Sequence, residues 1–251
     1  MEIRGGVALV TGATGGVGRA VARRLQGEGC SLVVGGRRGD VLEALALEVE
    51  GRAVVGDLES VDDLRRVAAV AGDVDVFVSC AGVRWGGDLT GSGLDDVGRV
   101  LDVNLRAPLL LARLVGEGMV ARGRGHVVFV SSLGGKVAGS GSSVESAARF
   151  GLRGFALALR QDWGPLGVGV SLVNVGSVGV ADEPAGVALP AGFRGRTPED
   201  VAAAVVRAVR HDRAEVDVAD PVKRAGVVLG QLAPQVAARL QRFAGDEAVE
   251  R

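Results

Sequence analysis

Thr11-Gly12-Ala13-Thr14-Gly15-Gly16-Val17-Gly18 follows a short apolar run and opens an amphipathic stretch, a placement suited to holding a pyrophosphate. Glycines let the backbone come close to phosphate oxygens, and the free N–H groups of a helix start face their charge. The glycine spacing alone can arise by chance in a chain with 41 Gly among 251 residues, so its position between strand and helix carries the argument. About twenty residues further on, an NAD site places an acid on the ribose hydroxyls. Here Gly35-Gly36-Arg37-Arg38 stands at that point. Small residues followed by two arginines suit a 2′-phosphate, so NADP(H) is expected over NAD(H). The plainer alternative is that Arg37 and Arg38 only solvate a loop.

Glu145 and Arg149 stand one helical turn apart and can pair. A guanidinium stays protonated and holds a neighbouring carboxylate ionised, whereas burial pushes a carboxyl toward the range of a proton donor. The sequence leaves these effects opposed. Ser142-Ser143-Val144-Glu145 also fits a capping box, with Ser142 as N-cap and Glu145 reaching back to it. Arg84-Trp85 offers a flat apolar face and a donor for a substrate entrance, with packing as the alternative. Trp163 and Phe155 suit core or subunit packing. His126 begins a strand and His211 ends a helix, so neither has the partners of a Ser-His-Asp hydrolase.

Short apolar runs alternate with helical patterns along the whole chain. Strands are expected at Val7 to Val10, Ser31 to Gly35, Ala53 to Gly56, Val74 to Ser79, His126 to Ser131, Val168 to Asn174 and Glu215 to Val218. Helices are expected at Gly16 to Glu28, 40–49, 61–71, 94–121, 143–163 and 198–211. Such alternation predicts an α/β fold: one doubly wound parallel sheet flanked by helices. Val-rich, mostly uncharged strands fit a sheet covered on both faces. Thr197-Pro198-Glu199-Asp200 is a strong helix start: a capping Thr, Pro in the first turn, and acids at the positive dipole end. The irregular stretch 176–196 before it is long for a loop and reads as a substrate lid or as disorder. Residues 221–251 read as a helical tail.

Composition narrows the chemistry. Twenty-nine Lys plus Arg against 30 Asp plus Glu give a formal charge of −1, which disfavours nucleic acid or anionic lipid as a partner. Two Cys and two His argue against a structural zinc site, so no metal is expected. Cys30 and Cys80 lie among apolar neighbours and suit buried thiols in a reducing compartment. Met1-Glu2-Ile3-Arg4 lacks the charged and then apolar pattern of a signal peptide, and no apolar run approaches a membrane span, so a cytoplasmic location is expected. The chain has no Tyr, which excludes any mechanism with a phenol as proton donor.

Taken in order, these motifs resemble the short-chain dehydrogenase/reductase family, single-domain Rossmann-type enzymes that act on alcohols and ketones. Thr11, Gly12, Gly16 and Gly18 match its cofactor turn, with Thr14 and Val17 inside it. The resemblance implies that Asp57-Leu58 contacts adenine and that Asn104 and Ser132 are site residues. It also places Ala81-Gly82 and Gly176 on the cofactor. Asn104 could instead satisfy backbone around a helix kink, and Ser132 could only cap a strand. In that family a Tyr lies 13 residues after the Ser, and a Lys four residues further. Counting from Ser132 reaches Glu145 and Arg149. Arg149 could still bond the nicotinamide ribose as the family's Lys does. The Asn-Asn-Ala-Gly motif appears as Ser79-Cys80-Ala81-Gly82, and the Pro-Gly after the sixth strand as Val175-Gly176.

The reading that follows is an NADP-dependent reductase of a carbonyl, imine or iminium group on a small or medium apolar molecule. Its site residues would be Asn104, Ser132, Glu145 and Arg149. An iminium already carries its proton, and an ionised Glu145 would stabilise its charge. One alternative is a nucleotide-binding subunit that has lost the chemistry and pairs with an active partner; another is a lyase, dehydratase or cyclase with Glu145 as base. The resemblance implies a homodimer or homotetramer built on helices 105–121 and 143–163, with a hetero-oligomer for the degenerate case.

Overall fold

The structure is a computed structural model that describes residues 1–176, 178 and 196–236. Strands β1 (Val7–Thr11), β2 (Ser31–Gly36), β3 (Arg52–Val55), β4 (Val76–Ser79), β5 (Gly125–Ser132), β6 (Val168–Val175) and β7 (Glu215–Val218) form one sheet. Their order is β3-β2-β1-β4-β5-β6-β7, and every pairing is parallel. Helices α1 (Gly16–Gly27), α2 (Gly39–Glu48), α3 (Val61–Ala71), α4 (Leu94–Leu101), α5 (Ala107–Ala121), α6 (Ser143–Trp163), α7 (Pro198–Arg210) and α8 (Pro221–Leu232) make up the rest. This is the single doubly wound domain that the alternation of elements predicts.

Alternation along the strands sorts side chains between two apolar layers. Ala8 and Val10 face a layer that includes Leu25 of α1, Leu42 of α2 and Val205 of α7. Leu9 and Phe77 face the opposite layer, with Leu64 of α3, Leu111 of α5 and Leu152 of α6. With both faces covered, the strands need no polar alternation. Trp163 and Phe155 pack in the second layer: Phe155 meets Phe129 edge-on at 5.8 Å, and the Trp163 ring sits where a Cβ on Gly116 would be.

Thr197 caps α7 as expected, its Oγ1 accepting from the Asp200 N–H at 3.2 Å while Asp200 accepts from the Thr197 N–H at 3.1 Å. The continuous helix expected at 94–121 is corrected. A π-helical turn at Asp102–Arg106 separates α4 from α5. Within it Asn104 is fully buried and bonded to a loop across the site, a tertiary constraint that no local periodicity carries. The strand expected from Val74 starts at Val76, and the one expected from Ala53 starts at Arg52. Except for Gly176, Val178 and Arg196, the expected lid at 176–196 lies outside the described residues, as does the expected tail beyond residue 236. Val178 and Arg196 pair in an isolated parallel bridge.

Below the sheet's carboxyl end a polar network ties β7 to the interior. Lys136, with 8% of its side chain exposed, bonds both Asp217 oxygens at 2.7 and 2.9 Å and lies 3.3 Å from Glu215. Arg153 of α6 grips Glu215 at 2.7 and 3.2 Å, and Asn174 donates to Asp217 at 2.9 Å. Burial pushes the Glu215 carboxyl up, but Arg153 and Lys136 together hold it below its ordinary range.

Candidate functional site

A parallel sheet whose strand order reverses between β1 and β4 opens a crevice at the carboxyl ends of those strands. The glycine turn occupies it. Gly12 has φ +69°, and a Cβ there would lie 2.5 Å from the Ala81 backbone. A Cβ on Gly18 would lie 2.2 Å from the Gly12 carbonyl oxygen, so the turn and the start of α1 tolerate no side chain at either place. Gly15 is the N-cap of α1, without a side-chain cap, and no acid occupies the first turn. By contrast Ser60, Thr197 and Asp220 cap α3, α7 and α8 with their side chains. The N–H groups at the start of α1 and its positive dipole end thus remain for an external anion.

On one side of the turn a cavity of about 290 Å³ is lined by Thr11, Thr14, Gly36, Arg37, Arg38, Asp57, Leu58 and Val103, among others. Arg37 and Arg38 are exposed at its rim, and Arg38 donates to the Thr14 carbonyl at 2.7 Å, which lays its guanidinium over the glycine turn. Asp57 is held at the mouth by its own backbone N–H, which donates to Asp63 at 2.7 Å, while its carboxylate accepts from the Glu59 N–H at 3.1 Å.

On the other side a cavity of about 420 Å³ is lined by Gly16, Val17, Gly18, Arg84, Ser131, Ser132, Glu145, Arg149 and Gly176. Gly12, Thr14, Gly15, Arg38, Cys80, Ala81, Gly82 and Val83 line both, so the two form one cleft. Ser132 ends β5, and its Oγ accepts from the Gly134 N–H at 3.0 Å, leaving its own O–H to donate. Asn104 is spent on backbone: its Nδ2 donates to the Val83 carbonyl at 2.8 Å, and its Oδ1 accepts from the Val83 N–H at 2.9 Å. It shapes the wall without entering the cleft.

The capping box expected at the start of α6 does not form. The Ser142 hydroxyl bonds the Gly139 carbonyl at 2.8 Å and the Ser146 hydroxyl at 3.0 Å, and makes no cap bond to α6. Glu145 points toward Arg149 instead, its Oε1 3.6 Å from Nε, an ion pair too long to be a hydrogen bond. Arg149 is the more buried partner, with 11% of its side chain exposed against 22% for Glu145. Burial pushes its guanidinium below the ordinary value, and Glu145 opposes that shift. The guanidinium packs against Gly82, where a Cβ would lie 2.9 Å from Nη2.

Four buried side-chain polar atoms lack a hydrogen-bond partner among the described residues: Thr11 Oγ1, Ser131 Oγ, Arg149 Nε and Asn174 Oδ1. The first three belong to residues that line the cleft. Orphaned polar atoms are costly when buried, and three of these four belong to residues around one cleft.

The sequence pattern of the short chain dehydrogenase family matches residues 6–183. The chain belongs to that family. Among curated relatives of this short-chain dehydrogenase, glycine betaine reductase ATRR of Emericella nidulans is 34% identical over 225 residues, 83% of this chain. The match spans only 18% of that longer protein. Dehydrogenase/reductase SDR family member 7B of Xenopus laevis is 30% identical over 256 residues, covering 92% of this chain and 79% of the relative. A solved metagenomic short-chain oxidoreductase in complex with NADP is 32% identical with a TM-score of 0.73, covering 88% of this chain and 98% of that one. The short-chain dehydrogenase described here is accordingly an oxidoreductase by family, and its cleft fits a nicotinamide dinucleotide. The uncapped start of α1 would face the pyrophosphate.

Every cofactor residue expected from the sequence lines this cleft, as do Ser132, Glu145 and Arg149. Arg84 lines it too, whereas Trp85 is half-buried and outside the lining. Val83 and Val103 went unforeseen, because each enters through the Asn104 bond or the π turn. Gly82 was legible as part of an altered motif, but its contact with Arg149 was not.

Proposed function

We propose that this chain is an NADP-dependent reductase that delivers hydride to a C=O or C=N group on a small or medium apolar molecule. The observation that carries the reading is the cleft itself, running from Arg37 and Asp57 to Glu145, with three orphaned buried polar atoms among its lining residues. The bound dinucleotide supplies the hydride; the protein positions, solvates and excludes. Gly12, Gly15, Gly16, Val17 and Gly18 would hold the pyrophosphate, and Arg37 and Arg38 the 2′-phosphate. Asp57 and Leu58 would face adenine. Arg149 would direct its guanidinium at the nicotinamide ribose, while Ala81, Gly82 and Gly176 would leave room for the ring. Ser132 would set its hydroxyl beside the reacting group, and Glu145 would place its charge there.

Support for NADP over NAD is the pair of arginines at the end of β2, together with relatives solved with NADP or NADPH. The exposed Phe150 of α6 and Leu114 of α5 support a homodimer or homotetramer through those helices. Two free Cys, one buried and one partly so, are consistent with a reducing, cytoplasmic setting.

A crystal structure with NADPH bound tests the site. Glu145 and Ser132 should face the nicotinamide, and Arg149 should bond its ribose; a carboxylate turned away to solvent would remove Glu145 from the chemistry. One observation favours a second reading, a nucleotide-binding subunit without turnover of its own: Asn104 has both amide groups committed to Val83, and Ser132 already accepts the Gly134 N–H. Binding of NADPH without its consumption, alone or with candidate partner proteins present, would support that reading.

A further inference from the structure

We infer that the hydride acceptor of this site is a cationic C=N group, an iminium or protonated imine, with Glu145 as its counter-ion; the inference rests on the reductase reading above. Two independent observations carry it: where the chain keeps its transferable protons, and which member of the Glu145–Arg149 pair is the more exposed in the cleft.

Reduction of a ketone leaves an alkoxide that must be protonated, so a ketone reductase needs a donor at the reacting oxygen. The chain has no Tyr, two His and two Cys, and its only lysines are Lys136 and Lys223. Among these, only Cys80 lines the cleft. Lys136 is held by Asp217 and Glu215. His126 is the second residue of β5, six residues or ~20 Å along the strand from Ser132, and its Nε2 bonds Ser171 at 2.8 Å. His211 lies at the far end of α7. Cys30 bonds the Ile3 carbonyl. Cys80 lines both cavities, and burial pushes its thiol up to about 12, so it is uncharged there.

What does face the second cavity is charge. Glu145 is the one acidic residue in its described lining; the basic ones are Arg38, Arg84 and Arg149. Arg38 is turned to the Thr14 carbonyl at the glycine turn. Arg149 is the more buried member of its pair and packs against Gly82. Both members of the pair line the cavity, and Glu145 has the more exposed side chain of the two. An alkoxide forming beside Glu145 would meet a like charge, while an iminium beside it would meet an opposite one.

The chemistry then closes without a proton from the protein. The C=N carbon gains the hydride, the π pair settles on nitrogen as its lone pair, and a neutral amine results. The positive charge passes to the oxidised dinucleotide.

The test pairs two bicyclic probes of similar size on the NADPH-loaded chain: N-methyl dihydroisoquinolinium, a fixed cation, and tetralone, a neutral ketone. The iminium should be consumed at least about a hundredfold faster, with a rate independent of pH near neutrality and no solvent isotope effect. Binding is read separately by calorimetry on the NADP⁺-loaded chain, using N,N-dimethyl tetrahydroisoquinolinium and neutral tetralin, neither of which can react. Two unit charges at contact in a partly shielded site correspond to about ten- to a hundredfold in affinity. Glu145→Gln should abolish that preference for the cation and leave tetralin binding unchanged. An unaltered melting curve would show that the variant is folded. Reduction of tetralone at a rate equal to the iminium, or an intact cation preference in Glu145→Gln, overturns the inference and leaves the reductase standing. Failure to bind NADPH, or to consume it with either probe, overturns the reductase reading and takes this inference with it.

Discussion

Removing the charges at Arg37 and Arg38 should separate the two nicotinamide cofactors. Both side chains are exposed at the rim of the first cavity, and Arg38 is already oriented by its bond to the Thr14 carbonyl. A hydrogen bond to a charged group contributes about 1.5–3 kcal/mol, and exposure places each contact at the low end. About 1.5 kcal/mol corresponds to roughly tenfold in affinity. Arg37→Ala and Arg38→Ala should each weaken NADPH binding about tenfold, and the double variant about a hundredfold if the contacts are independent. NADH, which lacks the phosphate, should change by less than about threefold. The measurement is a calorimetric titration of each variant with both cofactors at low and high ionic strength. Salt should shrink the NADPH advantage of the parent chain, because exposed charges are screened within about a Debye length. Equal weakening of NADPH and NADH, or no change in either, would refute a 2′-phosphate site and leave the arginines as loop solvation.

Three further outcomes follow from the same geometry. Gly18→Ala forces a Cβ onto the Gly12 carbonyl oxygen. It should cost about 1–3 kcal/mol of stability and lower NADPH affinity more than tenfold in the same titration. Lys136→Met leaves Asp217 and Glu215 without their buried cation; it should destabilise by about 3–5 kcal/mol in urea unfolding. A loss below about 1 kcal/mol would show that water reaches the network. His126 donates from Nε2 to Ser171 Oγ, since that hydroxyl gives its own proton to the Arg213 carbonyl at 2.6 Å, and burial pushes the imidazole down to about 4 from 6.5. The unfolded chain takes up a proton below its unfolded pKa while the folded chain resists, so this stability is present above pH 6.5 and is lost as pH falls toward 4. The loss amounts to about 3 kcal/mol. Urea unfolding at neutral and mildly acid pH should show it in the parent and not in His126→Phe; identical pH dependence in the two would disprove it.

Much of the architecture was legible because local and tertiary preferences agree. Helices at 61–71 and 143–163 and the strand Glu215–Val218 lie where pattern placed them, and Thr197 with Asp200 caps α7 with bonds that a four-residue motif foretells. The glycine turn was legible because backbone crowding at Gly12 and Gly18 excludes other residues. What was hidden depends on distant partners. Asn104 interrupts the helix at 102–106 because its amide is claimed by Val83, 21 residues away. Ser142 belongs to a sequence that reads as a capping box, yet its hydroxyl finds the Gly139 carbonyl first, which leaves Glu145 to Arg149. Arg84 is in the cleft and Trp85 is not, although their sequence setting is the same. The polar network around Lys136 joins a turn, α6, β6 and β7, and no spacing along the chain announces it.

The central claim is hydride transfer from NADPH in a site without a phenol. Its most direct measurement mixes the lone chain with one equivalent of NADPH and an excess of an iminium or carbonyl probe, and follows the nicotinamide absorbance through a single turnover. The account predicts loss of that absorbance with formation of one equivalent of amine or alcohol; with the iminium probe, Glu145→Gln slows it at least tenfold. NADPH that binds tightly and keeps its absorbance with every probe would contradict it.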